Sequence, residues 1–202
     1  MTHSLGHAEW DAAAAGFDDE PDHGLRAPEV RDAWARRMAD WLPDQPGDLL
    51  DLGCGTGSLA LLAAERGHRV TGVDFAANML DLARGKFASH DARFLLGDAA
   101  SPPVPAGSCD VVLARHVLWA LPDPAAALRT WVSLLRPRGR LVLVEGVWGD
   151  LSPVGIPADR LLGLVRELVG GAGVRHEELS SDALLWGKQV RDERYAVVAV
   201  RD

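Results

Sequence analysis

The chain has 202 residues, 48% of them hydrophobic and 25% charged, enough for one ordinary α/β domain with a true interior and too few for a second full catalytic domain. Its formal net charge is −8 and its lysines stand only at Lys86 and Lys188, a balance that lacks the electrostatic footprint of a nucleic-acid binder and favours small-molecule substrates. The opening MTHSLGHAEW has no basic-then-apolar leader, and no apolar run reaches the roughly 18 residues of a membrane span, so a cytoplasmic protein without membrane partners is expected.

Residues 1–45 precede the first predicted strand. Ala8 to Gly16 favours a short helix, and Phe17 to Gly24 reads as an acidic, proline-containing turn. Pro28 then starts a longer amphipathic helix that ends before Pro43, with Trp34, Met38, Trp41 and Leu42 on one face, the pattern of a packing surface. Trp10 and Phe17 have little packing reason to flank an acidic turn, which makes them candidates for a ligand pocket.

The apolar run from Leu49 leads into Asp51-Leu52-Gly53-Cys54-Gly55-Thr56-Gly57, and Ser58 to Arg66 behind it is a good helix former. Glycine at alternate positions lets the backbone turn sharply and lets a ligand approach without Cβ atoms in the way. The loop lacks the Lys-Ser/Thr pair of a phosphate-cradling P-loop, and it runs G-x-G-x-G where a dinucleotide site needs G-x-G-x-x-G. A carboxylate at Asp51 suits a ligand with a positive charge, such as an amino-acid ammonium, and would repel a pyrophosphate. The second strand, His68 to Asp74, ends about 20 residues past the glycines in an acid able to accept both hydroxyls of a ribose. A helix over Ala76 to Ala88, a strand over Ala92 to Leu96 and a strand over Asp110 to Ala114 follow. Taken singly, Asp74 also suits a cap and Asp98 a turn before Pro102-Pro103; their order at successive strand ends is what argues for a ligand.

From the glycine loop through Leu134 to Glu145 the chain resembles the class I S-adenosylmethionine-dependent methyltransferases. The resemblance implies a Rossmann-like α/β fold, a seven-stranded mostly parallel sheet with an antiparallel last strand and helices on both faces. It implies S-adenosylmethionine as cofactor and S-adenosylhomocysteine as product, with Asp51, Gly53, Cys54, Gly55 and Gly57 around the amino-acid end and Asp74 on the ribose. Phe75 and Met79 would pack on the adenine, Asp98 would sit near its amino group, and the Ala99 amide near a ring nitrogen. It also implies that residues 1–45 fold as a lid over a methyltransferase domain of residues 46–202.

Trp148 to Ile156 reads as a loop over the same sheet edge, Ala158 to Val169 as a helix ended by Gly170-Gly171-Ala172-Gly173, and Val174 to Leu179 and Tyr195 to Val200 as strands six and seven. His116, following the fourth strand, is the candidate general base, and His23 the second; a structural histidine at a strand end is the competing reading of His116. Arg115 either joins the cofactor-binding set, fixing an acidic group of a ligand, or pairs with a pocket carboxylate. Trp119 and Trp148 are candidate substrate-pocket walls. Cys54 and Cys109 have neither disulfide nor zinc spacing, and the seven histidines are scattered along the chain, so no metal is expected. The arginine, alanine and glycine bias resembles a bacterial genome rich in G and C. Ala114-Arg115-His116-Val117 departs from the Asn/Asp-Pro-Pro-aromatic signature of DNA amino-methylating members. The function expected is methyl transfer to oxygen or nitrogen of a small molecule. The alternatives are transfer to carbon, peptide or RNA, and a non-catalytic module that binds the cofactor.

Overall fold

The computed structural model describes residues 6–149, 153–171 and 173–202. Among these, eight strands form one sheet: β1 Asp48–Leu52, β2 Arg69–Asp74, β3 Ala92–Leu96, β4 Cys109–Arg115, β5 Leu135–Trp148, β6 Val154–Gly155, β7 Val174–Glu178 and β8 Glu193–Val200. The order is β3-β2-β1-β4-β5-β8-β7, with β6 paired to β5 off this path. The ladders from β3 to β5 are parallel, and β8 runs antiparallel to both β5 and β7. The chain reverses direction from β1 toward β2 on one side and β4 on the other, which opens a crevice at the carboxyl ends of the strands.

The helices are α1 His7–Phe17, α2 Pro21–Gly24, α3 Pro28–Trp41, α4 Ser58–Glu65, α5 Ala77–Lys86, α6 Pro124–Leu134, α7 Ala158–Val169 and α8 Ala183–Trp186, with a 3-10 turn at Leu118–Ala120. Central strands buried on both sides read as continuous apolar runs whose alternate residues face opposite cores. Leu50, Val112, Leu141 and Leu143 join the core that takes Leu128, Trp131 and Val165 from α6 and α7. Leu49, Val111, Val142 and Val144 join the other, which takes Trp34, Trp41, Ala60 and Trp186 from α3, α4 and α8. Trp34 and Trp41 are fully buried, and their Nε1 groups donate to the Leu185 carbonyl (2.7 Å) and Glu177 Oε2 (2.8 Å).

Three differences from the sequence reading have physical causes. The expected turn at Phe17 to Gly24 contains α2, because Pro21 supplies a preset helical φ at the first position before Leu25 stops it in the left-handed region (φ 50°). The expected loop at Trp148 to Ile156 is instead partly strand: β5 continues to Trp148 and pairs with β6 through Trp148 and Val154, while residues 150–152 lie outside those described. This pairing raises the expected seven strands to eight. The segment 1–45 is not uniform either, since α3 is part of the core and only α1 and α2 lie at the sheet edge. No helix among the described residues is long and apolar enough to cross a membrane.

Candidate active site

A cavity of about 630 Å³ lies at the carboxyl edge, lined in part by the loop after β1 and the ends of β2, β4 and β5. Of the residues singled out in the sequence it brings together Trp10, Phe17, His23, Gly53, Gly55, Asp74, Phe75, Met79, Asp98, Ala99, Arg115, His116, Trp119 and Trp148. Asp51, Cys54 and Gly57 are not on its wall.

Gly53 has φ 65°, and a Cβ there would stand 2.4 Å from Val117 Cγ2, so only glycine lets the loop after β1 close on the loop after β4. The Gly55 amide donates to Asp74 Oδ2 (2.8 Å) and the Ala76 amide to Asp74 Oδ1 (2.9 Å). These bonds fix a nearly buried carboxylate beside the glycine loop, each oxygen keeping a free lone pair. Burial pushes the Asp74 pKa up, and the two amides oppose that rise. Phe75 is exposed at the rim and Met79 is buried. Asp98 Oδ1 accepts the Ala100 amide (2.8 Å), and the carbonyl of buried Ala99 takes Trp131 Nε1 (2.7 Å).

Behind the wall, Cys54 Sγ fills the space where a Cβ at Gly72 would stand at 2.8 Å, and Gly57 packs against Ala83 and Phe87. Burial pushes Asp51 up to about 7, with Arg115 pulling it back and Asp74 adding to the rise.

The other end of the cavity is built around His116. Its backbone is left-handed (φ 59°), and its amide donates to the Val144 carbonyl (2.9 Å). The ring stands edge-on to Trp148 (4.8 Å) and stacked with Trp186 (6.1 Å). Its Nε2 is buried with no hydrogen-bond partner. Burial holds its pKa well below 6.5, helped by the charges of Arg115 and Arg194, so the ring is neutral near pH 7. His23 stacks on Phe17 (4.3 Å), with Nε2 3.7 Å from Asp22 Oδ2, and burial and then Arg115 lower its pKa too.

Donor atoms of Asp22, His23 and His116 all lie within 4.8 Å of one another. Spacing along the chain could not show this, because the three come from α2 and the end of β4. The Arg115 charge acts on both histidines, however, and opposes a divalent cation there. Arg115 itself lines the cavity, but its Nη1 donates to the Asp22 carbonyl and its Cζ lies 5.2 Å from the Trp34 ring centroid. The arginine therefore braces α2 against the end of β4.

Residues 50–143 match the family described as a methyltransferase domain. Over this stretch the chain is similar to the class I S-adenosylmethionine-dependent methyltransferases. Among curated relatives, a nocamycin O-methyltransferase of Saccharothrix syringae is 40% identical over 59% of the chain and 44% of the relative. A demethylmenaquinone methyltransferase of Thermus thermophilus is 41% identical over 55% and 53%. The chain thus spans about half the length of the curated relatives it matches. Among solved structures, the geranyl diphosphate C-methyltransferase of Streptomyces coelicolor superposes with TM-score 0.71 at 19% identity, over 85% of this chain and 79% of that one, which establishes the shared fold.

Two groups beside this site went unassigned in the sequence. Asp18, at the end of α1, accepts Thr56 Oγ1 (2.5 Å) and pairs with Lys86 Nζ (2.7 Å), which also donates to Thr56 Oγ1 and Ser58 Oγ. Its only sequence signal is one acid in an acidic turn. Glu145, near the end of β5, is visible as a single carboxylate closing the apolar run LVLVE. It is fully buried, and Oε1 accepts the amides of Val117 (3.0 Å) and Leu118 (2.7 Å), which sets the loop that follows His116.

Burial pushes Glu145 up to about 8 from an ordinary 4.5, against the pull of those amides. A folded pKa raised in this way contributes stability that is complete below 4.5 and is lost as pH rises to about 8. The thermal midpoint is therefore expected to fall across that window, and to fall less in Glu145→Gln, which keeps an acceptor oxygen for both amides. Asp51 adds to the fall with the same sign. Equal falls in the two proteins would rule out Glu145 as a source.

Proposed function

We propose that the chain binds S-adenosylmethionine and transfers its methyl group to an oxygen or nitrogen of a small-molecule acceptor. The observation that carries this reading is the Asp74 carboxylate, held by two loop amides at the mouth of a glycine-lined cavity. Phe75, Met79, Asp98 and Ala99 line the same cavity and fit a nucleoside, whose ring needs flat and soft apolar partners and whose ribose needs an acceptor. Asp51 would act on the amino-acid end through its charge from behind the wall, while Arg115 stands at the cavity itself.

The sulfonium of the bound cofactor supplies an electrophilic methyl group. The residues of the chain have then to exclude water, align an acceptor lone pair behind that carbon and take up the acceptor's proton. His116, neutral and at the cavity wall, would take that proton in this reading, and His23 stands next to it on α2.

Residues 7–24 act in this reading as a lid latched by Asp18. Asp18→Ala removes two charge-assisted bonds and should ease local opening of α1 and α2 by about 1.5–3 kcal/mol. Hydrogen exchange would show this as faster exchange over those helices with the sheet still protected; unaltered exchange would mean that Asp18 is not the latch.

Titration calorimetry with S-adenosylmethionine and S-adenosylhomocysteine tests the reading. Binding of one molecule per chain, with S-adenosylhomocysteine formed from some acceptor of a broad panel, is the expected outcome. Binding without turnover on any acceptor would favour a non-catalytic module, and no binding of either would overturn the proposal.

A further inference from the structure

We propose that the acceptor is an uncharged, ring-bearing small molecule that presents a hydroxyl to His116 while its apolar body lies against Trp119 and Trp148. This rests on the methyl-transfer reading and narrows its acceptor.

The acceptor end of the cavity is walled by carbon. Trp119 and Trp148 stand 5.6 Å apart at 54°, and Val117, Leu121, Pro122 and Val154 continue the wall. The indole nitrogen of Trp119 already donates to the His116 carbonyl (3.0 Å), so this ring offers a ligand only its apolar surface. Surfaces of this kind favour flat, weakly hydrated bodies.

Charge on the acceptor would find no complement here. The Arg115 guanidinium is half-buried at the cavity wall, donates to the Asp22 carbonyl and has the carboxylates of Asp22, Asp51 and Asp18 around it. Arg194 lies behind the wall, its Cζ 5.1 Å from each of the Trp148 and Trp186 ring centroids, and it pairs with Asp192 (2.8 Å). An anion would have to compete with these acids, and a cation would meet Arg115.

A polar partner is nevertheless called for. His116 has a buried ring nitrogen without a partner and sits in a left-handed conformation, a cost that persists where surrounding structure enforces it. Here the Val144 carbonyl and the clamp of Trp148 and Trp186 enforce it, and they set the imidazole into the apolar wall. One hydroxyl on an otherwise apolar molecule matches one imidazole in an otherwise apolar wall.

In the transfer, the acceptor oxygen uses a lone pair to form the O–CH3 bond as the S–CH3 bond breaks, and the sulfur keeps that electron pair as a neutral thioether. The hydroxyl proton passes to the His116 imidazole and then to water. A weakly basic imidazole suffices, because the oxygen becomes strongly acidic as the new bond forms.

The test uses the full chain saturated with S-adenosylhomocysteine, whose own binding is measured first. If that binding fails, the cofactor reading fails, and the acceptor proposal with it. With the cofactor product bound, 2-naphthol, 2-naphthoate and 2-naphthylmethylammonium are titrated by quenching of tryptophan fluorescence. Naphthol is expected to bind at least tenfold more tightly than either ion, and Trp119→Ala and Trp148→Ala are each expected to weaken it at least fivefold while S-adenosylhomocysteine affinity is retained. His116→Asn should weaken naphthol less than the tryptophan changes do and slow formation of 2-methoxynaphthalene from S-adenosylmethionine at least about a hundredfold. Preference for either ion, no naphthol binding to the loaded protein, or tryptophan variants that bind like the wild type would each overturn the proposal.

Discussion

Asp74→Ala is expected to weaken binding of S-adenosylmethionine about 5- to 150-fold, the effect of losing hydrogen bonds worth about 1–3 kcal/mol. The carboxylate serves two purposes at once. Its oxygens hold the amides of Gly55 and Ala76 at 2.8 and 2.9 Å, and in the proposed reading they also accept the ribose hydroxyls. Alanine removes both functions, so the glycine loop loses its tether together with the ligand. Asp74→Asn keeps one acceptor oxygen and should fall between alanine and the wild type. Calorimetry measures the affinities, and a melting curve on each variant separates weak binding from a failed fold. Wild-type affinity in the alanine variant would remove Asp74 from the site.

Loss of the base is expected to be costlier to turnover. General-base catalysis contributes about 10²–10⁴-fold, and His116→Asn should lower turnover by that order with cofactor affinity nearly intact. Asparagine is the informative replacement because it tolerates the left-handed backbone at φ 59° better than alanine does. Because burial and the neighbouring arginines hold the His116 pKa well below 6.5, the wild-type rate should show no loss on acidification from pH 8 to 6.5 that is traceable to this ring. A rate that drops with a midpoint near 6.5 in the wild type and not in the variant would contradict the buried, neutral imidazole. Unchanged turnover in His116→Asn would make the histidine structural.

Much of this was legible in the sequence because strand order and ligand edge are linked. Once β1 to β4 are recognised as strands, their carboxyl ends must meet at one edge, and so Gly53, Asp74, Asp98 and His116 could be placed together from the sequence. Side-chain direction was not legible. Asp51 is next in sequence to Leu52 and two residues from Gly53, yet it points behind the wall, and Cys54 turns inward onto Gly72. Long-range convergence was equally hidden: Asp22 and His116 are far apart in sequence, and only the docking of α2 on Arg115 brings them together. The hairpin of β5 and β6 escaped notice because Gly149, Ser152, Pro153 and Gly155 carry the composition of a loop, while the two-residue β6 is held by backbone pairing, to which composition is blind.

The segment of α1 and α2 touches both ends of the cavity. Asp18 is tied to the glycine loop through Thr56, Asp11 accepts the Asn78 amide on α5, and Asp22 and His23 reach Arg115 and His116 at the far end. If this segment closes as the proposed lid, ordering it for one ligand pre-orders it for the other. Cofactor and acceptor are then expected to be coupled with positive sign, and reciprocity fixes the size of the effect: whatever factor S-adenosylhomocysteine adds to naphthol affinity, naphthol must return to S-adenosylhomocysteine. Cutting the tie at Asp18 should drive that factor toward one from both directions.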